Sequence, residues 1–164
     1  MKKIILYRSK HGGAKKIAQR LQCECSEYEI ATLENTINIE EYDSIVFGCG
    51  IYAGMIDKTL KQFIQDHEPI LAKKKVMLYI SGISKDSMEK ECNDNFSDDF
   101  LSKVYYKDKL GAQINFPEFN FFEKQIIKMV NKKGNFITKN EIGKCVDLLD
   151  DEAINAFIEK MKQA

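Results

Sequence analysis

The chain has 164 residues, 44% hydrophobic and 30% charged, and its 25 basic and 25 acidic side chains cancel to zero net charge. That length suits one domain with one real core, since splitting begins beyond about 250 residues; two prolines and nine glycines leave little for a linker, a collagenous repeat or a disordered tail. Zero net charge excludes the global positive field of a general nucleic-acid binder while allowing local patches of either sign.

Met1 to Tyr7 has the charges of a signal peptide, but its apolar run stops at Arg8, short of the ~7–15 residues an h-region needs. No apolar stretch approaches the ~18 residues of a membrane span. Cysteines 23, 25, 49, 92 and 145 are odd in number and scattered, with neither CxxC nor zinc spacing. They read as reduced structural thiols of a cytoplasmic protein, and no metal site is expected.

Along the chain, Lys3–Tyr7 is an apolar run closed by polar residues and glycine, a buried strand. Gly12 to Leu21 turns helical, with Ile17, Ala18 and Leu21 on one face and Lys15, Lys16, Gln19 and Arg20 on the other. A weak strand at Glu27–Ala31 leads into a polar connection as far as Glu41. Ser44–Gly48 is a second buried strand. A helix follows from Asp57, with Leu60, Phe63 and Ile64 apolar and Pro69 just past its end. Lys75–Ile80 is a third strand, ending in Ser81-Gly82. Residues 86–104 are acidic and helical towards Phe96–Val104; Leu110–Phe116 is a strand; Asp150–Met161 is the last helix, with Ala153, Ile154, Phe157 and Met161 inward. Strands alternating with helices of this length make parallel βαβ units, an α/β class with helices on both faces of a sheet.

In such sheets ligands bind beyond the carboxyl ends of the strands. Three loops lie there. In Ser9-Lys10-His11-Gly12-Gly13-Ala14-Lys15, glycines let the backbone close around an anion, a helix N-terminus offers free N–H groups and Ser9 adds a hydroxyl. GxxxxGK[ST] is absent, so the loop suits one phosphate and not a triphosphate; the alternative is a ligand-free strand-to-helix turn. Gly48-Cys49-Gly50-Ile51-Tyr52-Ala53-Gly54 matches GxGxxA, but a dinucleotide site needs an acid closing the next strand, which here closes on Ser81-Gly82. The better reading sets backbone and the Tyr52 ring against a flat ligand, worth roughly 0.5–1.5 kcal/mol beyond burial, unless Tyr52 is an ordinary half-buried tyrosine. Ser81-Gly82-Ile83-Ser84-Lys85 supplies polar contacts but no ring, which leaves the second face of a planar cofactor open to a quinone or large reductant.

Ile4 to Ala18, with Ser9 and Gly12 in a hydroxyl-and-glycine loop, resembles the first strand, FMN-phosphate loop and first helix of the flavodoxin fold family. His11 and Ala14 stand where threonines are usual, which removes two side-chain donors and leaves the backbone donors. The resemblance implies a five-stranded, doubly wound parallel sheet of order 2-1-3-4-5. It implies FMN on Ser9, Lys10, His11, Gly12, Gly13 and Ala14, with its ring flanked by Gly50, Ile51, Tyr52, Ala53 and Gly54 and by Ser81, Gly82, Ile83 and Ser84. The stretch Gly111 to Gly134 and Gly50-Ile51-Tyr52-Ala53-Gly54 are similar to the menaquinone-dependent protoporphyrinogen IX dehydrogenases, flavodoxin-like enzymes of haem synthesis with an aromatic-rich helical insertion, here around 117–135. Asp86, Glu89, Glu91, Asp94, Asp98 and Asp99 depart from that family, which is basic there.

Within the insertion, Phe119, Phe122, Ile126, Ile127 and Val130 share a helical face, and Lys124, Lys128, Lys132 and Lys133 crowd the other side and end. Such a helix suits an anionic membrane surface, a peripheral contact through 119–133 on the inner face, or packs its apolar face on its own domain. The expected function is an FMN-dependent oxidoreductase with a quinone or redox-protein partner and no identified acid or base. Against it stand a flavodoxin-type electron carrier, disfavoured because those carriers are strongly acidic, and a flavin-free receiver module, disfavoured because Tyr7-Arg8-Ser9 replaces the paired acids such modules carry after the first strand.

Overall fold

The computed structural model describes residues 1–33, 37–84 and 86–164. Three strands carry the core: β1 (Lys3–Arg8), β3 (Ser44–Tyr52) and β5 (Lys75–Ser81). Successive side chains of a strand point to opposite faces, so an unbroken apolar run must be covered twice. Ile4, Leu6, Ile45, Phe47, Val76 and Leu78 face one side, under α2 (Lys58–Leu71), α3 (Met88–Asn95) and α4 (Asp98–Lys103). Ile5, Tyr7, Val46, Met77 and Tyr79 face the other, under α1 (Gly13–Glu24) and α6 (Asp151–Lys162). Each fully buried side chain of this size contributes ~1.5–3 kcal/mol.

With β2 (Tyr28–Thr32) and β6 (Val104–Lys109) at the edges, the parallel order is β2-β1-β3-β5-β6, the 2-1-3-4-5 winding expected. A two-residue strand, β4 (Met55–Ile56), folds back antiparallel on the end of β3.

Four local expectations are corrected. The helical stretch of 86–104 is two helices, each opened by a serine N-cap, Ser87 and Ser97. The fifth strand is β6 and not Leu110–Phe116; as a half-exposed edge with Lys107, Asp108 and Lys109 it lacks the apolar run of a central strand. Gly111–Asn115 is instead β7, paired antiparallel with β8 (Cys145–Leu149) in a separate ribbon. Pro69 lies inside α2, near its end, where it removes one N–H donor without stopping the last turn.

The switch from β6 to β7 turns on Gly111 at φ +76, where a Cβ would lie 2.3 Å from the Leu148 carbonyl oxygen. The insertion continues through a 3-10 turn at Phe116–Glu118 and α5 (Phe121–Gly134) to β8, over a small core of Ile114, Phe116, Phe119, Ile137 and Val146.

Candidate functional site

All three loops emerge at the carboxyl edge of the sheet. The first passes from β1 to α1 through Gly12, at φ +88 with nothing within 4 Å of where a Cβ would stand. Gly13 opens the helix, and a Cβ there would meet Ser81 Oγ at 3.0 Å and the Gln113 backbone at 3.4 Å, so the first loop, β5 and the insertion converge at this point. Ala14 is held from below: buried Tyr79 donates its hydroxyl to the Ala14 carbonyl at 2.7 Å. Ser9 Oγ is buried without a hydrogen-bond partner, and it lines a narrow cleft with Gly13, Gly50, Tyr52, Ser81 and Gly82.

Lys10 and His11 turn away from that cleft. Both grip Glu123 in the first turn of α5, Lys10 through its ammonium and His11 Nε2 at 3.0 Å. The His11 ring is buried, 4.5 Å from Phe119 and 5.8 Å from Tyr52. Glu123 also accepts from the Asn120 backbone N–H at 2.9 Å while the Asn120 side chain accepts from its own, a capping box. Burial works to raise the Glu123 carboxyl, but the Lys10, His11 and Asn120 hydrogen bonds outweigh it and hold the group down at about 2. A depressed carboxyl contributes stability above its ordinary value of 4.5 and loses it as pH falls through that value towards about 2. Proteolytic release of α5 is therefore expected to rise over this window, and Glu123→Gln to be open to protease already at pH 7; protection independent of pH and of the substitution contradicts the clamp.

In the second loop, Tyr52 ends β3, and Ala53 (φ +50) with Gly54 (φ +78) form a two-residue hairpin turn into β4. The Tyr52 ring covers Gly50, where a Cβ would be 3.1 Å from Cε2, and burial pushes its hydroxyl up to about 12. The third loop touches the second, since a Cβ on Gly82 would lie 2.4 Å from Ile51 Cγ2. Lys85, also expected here, lies outside the described residues.

Between the second and third loops a cavity of about 260 Å³ is lined by Ile51, Tyr52, Ala53, Gly54, Ile83 and Ser84, and Ile126, Ile127 and Val130 of α5 roof it. The face expected to be open is thus covered by the insertion. This cavity and the Ser9 cleft share Ile51, Tyr52, Ile83 and Ile127. The phase of α5 differs from the expectation. Because the capping box turns Glu123 inward, Ile126, Ile127 and Val130 follow it at helical spacing, whereas Phe122 is 76% and Phe121 70% exposed. Phe119 precedes the helix and is buried.

Sequence reasoning missed α3. Its Asn95 side chain donates to the Gly54 carbonyl at 2.9 Å and accepts from the Ile56 N–H at 3.1 Å, fixing the hairpin. Glu91, only 2% exposed, accepts from Ser84 Oγ and stands 2.9 Å from Lys109 Nζ. The signal was present: Met88, Glu91, Cys92 and Asn95 are spaced i, i+3, i+4, i+7, the buried stripe of a short helix.

A doubly wound 2-1-3-4-5 sheet with a glycine phosphate-type loop and two flanking loops defines a flavodoxin-class protein. Residues 4–139 match the model of the flavodoxin domain family, and the chain belongs to that family. Among curated relatives, the protoporphyrinogen IX dehydrogenase [quinone] of three Escherichia coli strains is 24% identical over 156 residues, covering 87% of this chain and 86% of that protein. The FMN-bound flavodoxin of Fusobacterium nucleatum superposes over 99% of this chain and 98% of that one, with TM-score 0.57 and 15% identity. The apo flavoprotein of Lactobacillus acidophilus covers 68% of this chain and 93% of its own, with TM-score 0.51 and 14% identity. These two likenesses show the fold.

The residues present fit an FMN phosphate. Ser9 Oγ is an orphaned buried donor in a cleft where Gly13 brings the start of α1 to the edge without a side chain; such an end presents N–H groups and positive dipole to an anion.

Proposed function

We propose that this chain binds FMN, with its phosphate at Ser9, Gly12, Gly13 and Ala14 and its ring between Gly50–Gly54 and Ser81–Ser84. It uses the flavin to oxidise protoporphyrinogen IX with a quinone as acceptor. The observation that carries the reading is the buried, partnerless Ser9 hydroxyl, in a cleft that shares Ile51, Tyr52, Ile83 and Ile127 with the roofed cavity. FMN, when bound, supplies a two-electron acceptor, and that chemistry is its own. The chain anchors it, sets Tyr52 against it and excludes water with Ile126, Ile127 and Val130. An enzyme and not a carrier is favoured by that roof, since a carrier needs its flavin edge free for protein partners, and by the dehydrogenase relatives matching over nearly the full length.

The test is direct. Purified protein should show the flavin bands near ~370 and ~450 nm, and anaerobic mixing with protoporphyrinogen and a menaquinone analogue should yield fluorescent porphyrin. Colourless protein that ignores added FMN overturns the cofactor assignment. Bound FMN without porphyrin formation replaces the enzyme by the carrier.

The outer face of α5 extends the proposal to location. No helix among the described residues is long and apolar enough to cross a membrane. Phe121, Phe122 and Met129 are exposed beside Lys128 and Lys132, while the acid of the first turn, Glu123, is occupied by Lys10 and His11. Each lysine near an anionic surface adds ~1 kcal/mol, so this face suits a quinone-bearing membrane. Sedimentation with phosphatidylglycerol vesicles is expected, and Lys128→Glu with Lys132→Glu should cut it at least tenfold. Equal sedimentation with uncharged vesicles contradicts the surface.

A further inference from the structure

Two acids line the roofed cavity, Asp86 and Glu91, and of the two only Glu91 is buried. Glu91 is buried at its wall, on α3 and behind the third loop. Ser84 Oγ donates to Oε1, and Lys109 Nζ lies 2.9 Å from Oε2. The Lys109 ammonium also donates to the Ser84 carbonyl at 3.2 Å and the Asp86 carbonyl at 2.7 Å, so the pair ties α3, β6 and the third loop together. A buried ion pair is costly to assemble, and a hydrophobic pair of similar shape is often as stable. Its place beside a cavity is what calls for another account.

From this geometry we infer that Glu91 is the proton-holding group of the reaction, an inference that rests on FMN occupying this cavity as proposed. Dehydrogenation of a substrate carrying two removable hydrogens releases two electrons and two protons. One hydrogen would leave with the electron pair as hydride, for which bound FMN would supply the acceptor. The other leaves as a proton from an N–H or O–H of the substrate; that bond breaks and an O–H bond forms on the Glu91 carboxylate. In the second half-reaction the quinone would take the electron pair and its hydrogen, for which bound FMN would serve as relay, and the proton from Glu91, so both balances close and the carboxylate is regenerated.

The surrounding groups suit the task. Lys109 stands against the Glu91 carboxylate as its counter-ion, and Ser84 donates to it. Asp86 and Lys133 line the same cavity, with the Tyr52 phenol across it. Asp86 is engaged at the surface by Lys90 at 3.5 Å, while Lys107 and Glu89 lie near the neighbouring Cys92 thiol. A bound flavin that gained electrons would add negative charge beside Glu91, and the repulsion would favour the protonated carboxyl. Proton uptake is thereby linked to reduction without any substrate present.

That linkage is the readout. Photoreduction of the FMN-loaded protein in lightly buffered indicator solution counts the protons taken up per two electrons as a function of pH. The wild type should take up more than Glu91→Gln, by up to one proton, within a bounded pH window. Lys109→Gln should keep the extra uptake but move its window to higher pH, because Glu91 loses its cation. Wild-type protein that never binds FMN defeats the function proposed above. FMN-loaded protein whose uptake matches in wild type and Glu91→Gln at every pH overturns the role of Glu91. Should Glu91→Gln fail to hold FMN, the Lys109→Gln window decides alone, and an unmoved window overturns the inference.

Discussion

Gly12→Asp is expected to weaken FMN binding by more than a hundredfold while the protein stays folded. Gly12 sits at φ +88, where a side chain costs ~1–2 kcal/mol, but no atom lies within 4 Å of its Cβ position, so the substitution meets open space. Charge decides the outcome. A carboxylate about 4 Å from a phosphate oxygen is repelled by ~4 kcal/mol per unit charge at an effective dielectric constant of 20, and 1.4 kcal/mol is already tenfold in affinity. Gly12→Asn separates the two effects, because asparagine tolerates this backbone region and carries no charge; its loss should stay within tenfold. Fluorescence titration with FMN reads both variants, and an unchanged affinity in Gly12→Asp refutes the phosphate assignment.

Replacing Gly48 by alanine is expected to cost roughly 2–6 kcal/mol. A Cβ there would lie 1.9 Å from Tyr79 Cζ and 2.2 Å from its hydroxyl oxygen. Tyr79 is fully buried and cannot swing into water. Moving it strains the core by ~1–3 kcal/mol and breaks its hydrogen bond to the Ala14 carbonyl, leaving buried polar groups unpaired for a further ~1–3 kcal/mol. The damage is expected to reach the site, because Ala14 is in the first turn of α1, the helix whose N-terminus is proposed to hold the phosphate. Urea unfolding should show the lost stability, and FMN affinity should fall with it. A cost below 1 kcal/mol removes this link between core and loop.

The central strands were legible because their signal is local. Ile4 to Tyr7 and Ser44 to Phe47 are buried on both faces, and a run without polar interruption has few other ways to fold. The glycine loops were legible for a similar reason: backbone shapes that need Gly12 are written in one residue. The edge strand β6 and the ribbon strand β8 were not, since Val104–Lys109 and Cys145–Leu149 mix charge with apolar residues and owe their strand state to neighbours.

The insertion shows where local reading ends. Its helix was visible, but a five-residue apolar set does not say which of its members turn inward. The Asn120–Glu123 capping box sets the phase, and Lys10 and His11, more than 110 positions away, fix what the inward turn touches. The zero net charge concealed a similar division: among acids that read as one run, Glu91 is buried against Lys109 while Asp94 pairs with Lys90 at the surface.

By itself, then, the sequence determined the alternation of strands and helices, the three loops at the edge of the sheet and an added amphipathic helix, because hydrophobic period and glycine act over a few residues; the winding of the sheet was implied by the resemblance to the flavodoxin fold family. Only the tertiary structure decided that α5 roofs the cavity and that Glu91, Lys109 and Glu123 stand at the site, because a buried charge is tolerable only where a partner waits, and these partners come from distant parts of the chain.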